Sequence, residues 1–414
     1  MNTRLSQRNR TVLSVAAALA VGSGIAAGGT PQTWSEQAKL FNEIGVAGGQ
    51  FGFGAALHGD TALVSEIDIS FFLPGTVHVF TRSGTQWTQK GTIVPAQRFE
   101  GDGFGTALAI DGDTLVVGGV APTVGRAYVF VFSGETWVEQ AELVPDDGPG
   151  GEFYGASVAV AGDTAIVGYF GYDQGHGTAY VFQRSGEVWT QQQQLFPDSE
   201  TADFFGRAAL DGDTALIGAA FANTGTASPQ GDVYVFDRSG STWTQTTKLA
   251  HPVGGSTDLF GQSVALQGDT AVVGASGLNE YTGAAYVYVR SGDTWPLQAT
   301  LTPDDPVAGA NFGQPVSIDG DTVVAGAPYA TIDFQFQGAA YVFRRSGTAW
   351  TQADRLSASD PGREDIFGWT GIAQEKETIL IGSAYADVGK TIDAGAAYVF
   401  VPGGDDAIFA AGFE

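Results

Sequence analysis

Apolar and polar positions alternate along this chain in short runs, and the same succession of runs returns about every fifty residues. One unit reads F-G-x-S-V-A-x-x-G-D-T-x-V-V-G-A, then a variable stretch, then G-A-A-Y-V-F-x-R-S-G-x-x-W-T-Q-x-x-x-L. The seven starts are Phe51, Phe104, Tyr154, Phe205, Phe260, Phe312 and Phe367. In the sixth unit, residues 312–318, 322–325, 340–344 and 350–356 are strand-length and rich in Val, Tyr, Phe, Thr and Trp. Asp319-Gly320 marks a tight hairpin between the first two runs, because Gly accepts positive φ. The same dipeptide stands at Asp111-Gly112 and Asp211-Gly212. Arg345-Ser346-Gly347 turns the third run into the fourth. Four antiparallel strands per unit, taken seven times, predict an all-β seven-bladed propeller. Such a platform is common to every copy, so activity must come from what differs between copies.

The ends of the pattern predict how the ring shuts. Six units finish on a Trp run, at Trp87, Trp137, Trp189, Trp243, Trp295 and Trp350. The seventh instead passes from Tyr398-Val399-Phe400 into Pro402-Gly403-Gly404. The missing run stands at the other end of the chain, as Trp34–Leu40. It is expected to complete the last blade, which removes an exposed sheet edge. The recurrent Tyr residues (Tyr128, Tyr180, Tyr234, Tyr286, Tyr341, Tyr398) and the Trp set hold constant offsets. They read as core or inter-blade packing rather than as a ligand box.

Composition adds the compartment. There is no Cys, Met occurs once, and the 60 Gly sit at fixed turn offsets. Stability must therefore come from the core and from ring closure, without disulfides. A formal net charge of -26 argues against holding nucleic acid or anionic lipid through charge. It fits a soluble exported protein, or one that collects cations weakly. Arg4, Arg8 and Arg10 precede an apolar stretch over residues 11–21, and small residues follow at 24–27. This is the pattern of a secretory signal over residues 1–28, with a non-cleaved anchor as the alternative. No Cys follows for lipid attachment, and no later segment is long and apolar enough for a transmembrane helix. The expected organisation is a signal peptide at 1–28, a propeller at 29–403 and a tail at 404–414.

Phe-Gly, then Val323-Val324-Ala325-Gly326-Ala327-Pro328, then Gly338-Ala339-Ala340-Tyr341-Val342-Phe343 resembles the FG-GAP repeat family. That repeat builds the integrin α-subunit propeller and many bacterial exported proteins, and the resemblance covers about residues 31–402. It implies the propeller fold and an extracellular setting, while members range over adhesins, lectin-like proteins and a few enzymes with other domains. The chain departs from the integrin pattern at the first hairpin. Integrin repeats carry an Asp/Asn-rich calcium loop there. Here the join is a tight turn such as Asp111-Gly112-Asp113-Thr114. Calcium takes about six to eight oxygens, usually from a loop of about a dozen residues. No cofactor is therefore expected, and Gly-Asp-Thr reads as turn chemistry in which Asp and Thr bond nearby backbone. In the seventh unit, Gln374-Glu375-Lys376-Glu377-Thr378 replaces the motif without losing the strands. A kelch propeller is the nearest rival, but its Gly-Gly signature follows a strand only at Gly118-Gly119. The last residues resemble the short I-F-x-x-G-F-E endings of some exported proteobacterial proteins. They read either as a sorting tag or as a frayed terminus.

Function is expected on one face. The first-to-second and third-to-fourth turns share one end of the ring and are short and nearly invariant. The second-to-third loops and the inter-blade links share the other end and vary. Those loops carry Phe71, Phe72, Tyr169, Phe170, Tyr172, Phe221, Tyr281, Tyr329, Phe334, Phe336 and Tyr385. Aromatic rings there can stack on sugars or anchor a protein, or can simply cover the core. The links are acidic, as at Asp146-Asp147, Asp198, Glu200, Asp304-Asp305, Asp360, Glu364 and Asp365. Repetition at one offset suggests loop capping, with a carboxylate ring that attracts a cation or a basic partner as the alternative. Catalysis finds little support. His58, His78, His176 and His251 occupy unrelated repeat positions, and no Cys nucleophile exists. The expected function is non-catalytic recognition of a surface glycan or an extracellular protein by a monomer. The alternatives are a polysaccharide-acting lyase or hydrolase and a structural surface protein.

Overall fold

The computed structural model describes residues 33–403, apart from 69–73, 100, 122–123, 149, 199–203, 223–229, 250 and 253–256. The predicted signal at 1–28, the tail at 404–414, and Phe71 and Phe72 lie outside the described residues. Seven four-stranded antiparallel sheets pack in a ring, so the chain is an all-β seven-bladed propeller. From the channel outwards, blade 1 is Phe51–His58, Thr61–Glu66, Thr76–Ser83 and Gln86–Ile93. Blade 2 is Phe104–Asp111, Thr114–Gly119, Arg126–Phe132 and Trp137–Glu142. Blade 3 is Tyr154–Ala161, Thr164–Tyr169, Thr178–Ser185 and Val188–Leu195. Blade 4 is Phe205–Asp211, Thr214–Ala219, Asp232–Ser239 and Thr242–Leu249. Blade 5 is Phe260–Gln267, Thr270–Ala275, Ala284–Val289 and Leu297–Leu301. Blade 6 is Val316–Asp319, Thr322–Ala327, Ala339–Ser346 and Ala349–Leu356. Blade 7 takes Ile372–Glu375, Thr378–Ser383 and Ala396–Pro402 from the C-terminal end, and Trp34–Leu40 from the N-terminal end. Trp34 pairs with Pro402 and Leu40 with Ala397, so the predicted closure is present.

Each blade is held by its own aromatics. The Phe of Phe-Gly meets the Tyr and Phe of Y-V-F edge to face, as Phe312 does with Tyr341 (5.6 Å) and Phe343 (5.9 Å). The second strands are buried on both faces, which is why they read as continuous apolar runs.

Between blades the contact is backbone on backbone. At the closing seam the Phe51 N–H donates to the Ala394 carbonyl at 2.9 Å, and Phe51 and Gly395 form a parallel bridge. A Cβ on Gly395 would overlap the Phe51 carbonyl oxygen, and one on Gly382 would overlap that of Gly52. The same bridge joins Gly177 to Phe205, Gly283 to Phe312 and Gly338 to Phe367. Blade 1 departs from this rule in its second strand, where Ser65 replaces the glycine and accepts from the Gly54 N–H at 2.6 Å.

The short-turn end is tied by a repeated latch. Arg184 donates through Nε to Asp163 (2.7 Å) and through Nη1 to Thr114 of the preceding blade (3.0 Å), and lies 5.2 Å over Trp189. Arg82 links blade 1 to Thr378 of blade 7 in the same way (2.9 Å). Arg238 and Arg345 repeat it. This corrects the expectation that Asp and Thr of Gly-Asp-Thr bond nearby backbone. Their partners are the arginines of Arg-Ser-Gly, which reach across the seam.

Three strand boundaries also differ from expectation. Trp295 lies before its strand rather than in it, since Pro296 has no N–H to pair. The inner strands of blades 6 and 7 begin at Val316 and Ile372 rather than at Phe312 and Phe367, with Pro315 and Gly371 at the break.

Two tests follow from this geometry. Deleting Trp34–Leu40 removes the buried Trp34 and Leu40, worth about 3–6 kcal/mol together by burial alone. A clear drop in melting temperature is expected; an unchanged melt would contradict closure by this strand. Lys376 (φ 54°) holds the left-handed turn position that Gly occupies in the other six blades. Lys376→Gly is therefore expected to stabilise by about 1 kcal/mol in chemical denaturation, because a Cβ is disfavoured there.

Candidate functional site

The inner strands begin at the variable-loop end, and the residue after each Phe-Gly faces the central channel. The seven residues are Phe53, Thr106, Ala156, Arg207, Gln262, Gln314 and Trp369, all half-buried. Together they line one cavity of about 650 Å³. Below them Leu108, Val158, Val264, Val316 and Ile372 form an apolar throat. The x of F-G-x-S was the available signal in the sequence, since it varies while its neighbours repeat.

The ring is chemically lopsided. Trp369 and Phe53, on neighbouring blades 7 and 1, meet edge to face at 5.5 Å. Blade 4 is opposite that pair in a seven-membered ring and carries Arg207. The Arg207 guanidinium stacks on Phe170 at 4.7 Å. It has no hydrogen bond or ion pair among the described residues. Its outer surface opens on the channel, but protein surrounds it on the other sides, and this desolvation lowers its pKa to about 10. It stays cationic at neutral pH. Between Arg207 and the aromatic pair stand Gln262, which accepts from Ser276, and Gln314, whose amide has no protein partner among the described residues.

The residue before each Phe-Gly is left-handed in every blade, from Gln50 (φ 46°) to Phe153 (φ 66°) and Phe204 (φ 59°). In blades 1, 4, 5, 6 and 7 that turn sets the Phe N–H on a carbonyl of the previous blade. It also leaves Phe153 and Phe204 exposed at the rim of the cavity, where Phe204 meets Phe221 at 4.9 Å.

The predicted aromatics divide into groups. Phe221 lines the cavity. Tyr385 backs the mouth, 5.9 Å from Trp369. Tyr169 and Tyr172 pack together at 5.8 Å, with Tyr169 also against Tyr154 and Tyr172 against Phe196. Tyr329 meets Phe336 at 5.8 Å in the blade 6 loop. Tyr281, Phe334 and Phe336 are exposed. The structure thus brings Phe170, Phe221 and Tyr385 to the mouth and leaves Tyr169, Tyr172, Tyr281, Tyr329, Phe334 and Phe336 around it.

The link carboxylates have structural partners. Asp147 accepts from the Tyr180 hydroxyl at 3.0 Å, and Asp360 from the Tyr398 hydroxyl at 2.9 Å and from Lys39 at 2.7 Å. Asp305 pairs with Arg355. Among the described residues no group of three or more His, Asp or Glu is placed to hold a metal ion. The histidines are scattered: His78 is buried against Glu66 (2.7 Å) and Gln89, and His251 packs on Phe260 and Tyr286.

The family model for the FG-GAP repeat matches residues 87–130, 137–182, 189–236, 243–288, 295–343 and 350–400. The chain belongs to the FG-GAP repeat family. Each matched FG-GAP segment starts at the Trp of one blade's outer strand and ends on the third strand of the next, so a repeat straddles a seam. Residues 34–80 hold the same phase, starting at Trp34 and carrying His78 where the others have Tyr. That offset is what leaves Trp34–Leu40 free to close blade 7. Among solved structures, the chain is similar to a protein from Lactobacillus plantarum, with 13% identity over 76% of this chain and 89% of that one (TM-score 0.48). It is also similar to a functionally unknown protein from Desulfotomaculum acetoxidans, with 12% identity over 76% and 91% (TM-score 0.48). No curated protein matches the chain.

Asp365, in the link entering blade 7, gives a pH test. Burial raises its pKa to about 6, against the Gly362 N–H that it accepts at 2.6 Å, and Asp387 and Asp360 add repulsion. The folded pKa lies above the unfolded value of about 3.9, so this group's stability is full below pH 4 and is lost as pH rises through about 6. Asp365→Asn should be more stable than the parent at pH 7.5, by about 1–2 kcal/mol after allowing for nearby solvent. The advantage should vanish below pH 4 in urea unfolding. An equal gain at both pH values would assign it to packing instead.

Proposed function

We propose that this protein is an exported, non-catalytic binding propeller that recognises a surface glycan or an extracellular protein on its variable-loop end. One observation carries the reading. The seven-membered mouth is concave, preformed, partly aromatic and built from six residue types, whereas the opposite end carries repeated latches. Its volume is that of a ligand pocket, which is usually about 300–1,000 Å³. The exposed Tyr281, Phe334 and Phe336 stand on the same end and would extend the contact surface beyond the mouth. Export rests on the basic and apolar pattern of residues 1–28. Among the described residues no helix is long and apolar enough to cross a membrane.

The test is retention of purified protein on a panel of immobilised polysaccharides and envelope glycans, with soluble products followed over time. Selective, saturable retention is expected, without product. Trp369→Ala should weaken it at least ~10-fold, about 1.4 kcal/mol, while leaving the fold intact by circular dichroism. Accumulating product would replace the reading with an enzyme, and retention on no glycan and no protein partner would remove it.

A further inference from the structure

We propose that the channel mouth is a site for an acidic sugar, a pyranose ring bearing one carboxylate, held between Arg207 and the Trp369–Phe53 wall. The proposal rests on the glycan reading above and names the class of sugar. Its first support is charge. The chain has a formal net charge of -26, yet the mouth holds a cation with no carboxylate partner among the described residues. The latch arginines at the opposite end have such partners, as Arg82 has Asp60 and Arg345 has Asp321. A half-desolvated cation without an anion is a cost to the fold. Stacking on Phe170 fixes the plane of the guanidinium, and a guanidinium fork matches a carboxylate in two parallel hydrogen bonds.

The second support is the opposite wall. Blades 7 and 1 face blade 4, so Trp369 and Phe53 present ring surface across from Arg207. A bare anion gains nothing from such a wall; a sugar ring with axial C–H groups does. The third support lies between them. Gln262 and Gln314 are placed on blades 5 and 6 to meet hydroxyl groups, and the open amide of Gln314 suits either a donor or an acceptor. The acidic member of the lining is Asp68, on blade 1, three blades away from Arg207. The single guanidinium pairs with one carboxylate, so a sugar with one acidic group fits better than a phosphorylated or multiply sulfated sugar.

The test is titration of the full protein with D-glucuronate and D-galacturonate, followed by tryptophan fluorescence and by melting temperature. D-glucose, acetate and inorganic phosphate are the controls. Saturable binding of a uronate is expected, at least tenfold tighter than glucose, acetate or phosphate. Arg207→Met should lose at least tenfold of the uronate affinity, and Arg207→Lys should recover part of it. Arg207→Met alone should melt no lower than the parent, and uronate should raise the melting temperature of the parent but not of this variant. Equal binding of glucose and uronate, or full uronate binding by Arg207→Met, would overturn the acidic-sugar assignment while leaving glycan retention by the panel in place. Binding of acetate as tight as uronate would overturn the sugar part. Failure of the panel and of every titration would remove both the assignment and the reading beneath it.

Discussion

Everything in this ring depends on how closely one blade's backbone can approach the next. At five of the seven seams a Phe N–H reaches the preceding blade's carbonyl, and across the seams a glycine lies where any side chain would collide with the aromatic residue of the next blade. Hydrogen bonds, rather than interdigitated side chains, therefore join the inner parts of the blades. The apolar clusters lie further out, where Phe, Tyr and Val of neighbouring blades meet, as Phe205 and Tyr234 do with Ile166 and Val181. The glycines of the repeat serve contact first and turning second. The seam also explains why closure needs no disulfide, since the seventh interface is made by the same groups as the others.

The two ends of the ring have been put to different uses by this arrangement. At the short-turn end, Arg, Asp, Thr and Trp recur in register, and each Arg holds two blades at once. Changing one of these residues disturbs both neighbours, so the end is chemically uniform. Blade 2 departs from the pattern with Phe132 on Trp137 (5.4 Å), replacing the ion pair by stacking alone. At the other end, loops and links need only start and finish at the seam. Their interiors are free to differ, and the exposed aromatics are found there.

The fold was legible because its determinants repeat. Phe-Gly, Gly-Asp-Thr, Y-V-F and the Trp run return at fixed offsets, and the missing last run reappears at Trp34–Leu40, so strand order and closure follow from spacing alone. The misplaced boundaries fall at single residues, Pro296, Pro315 and Gly371, which interrupt pairing without disturbing the pattern. The latch partners were not legible, because Arg184 and Thr114 are 70 positions apart and only the blade-to-blade step brings them together. The candidate site was legible as an end of the molecule and not as a set of residues. Aromatic loop residues such as Tyr169 and Tyr329 drew the eye, yet they pack on rings of their own loops. The mouth is built from single residues about fifty positions apart, each next to the most regular dipeptide in the chain.

That position is where a propeller of this kind can change its chemistry at little structural expense. The Phe is locked by the core and the following Gly by the seam, but the next side chain lines the channel, where its contacts are few. Different side chains stand there in different blades while the strands keep their order. An apolar or uniformly small set would close or line the channel without preference. The set here instead puts an aromatic pair against a lone arginine, with two glutamines between, and places the arginine on the blade farthest from the aromatics. A symmetric scaffold yields directional recognition only when its copies differ at such a ring, and in this chain they differ in charge, in hydrogen-bonding capacity and in size together.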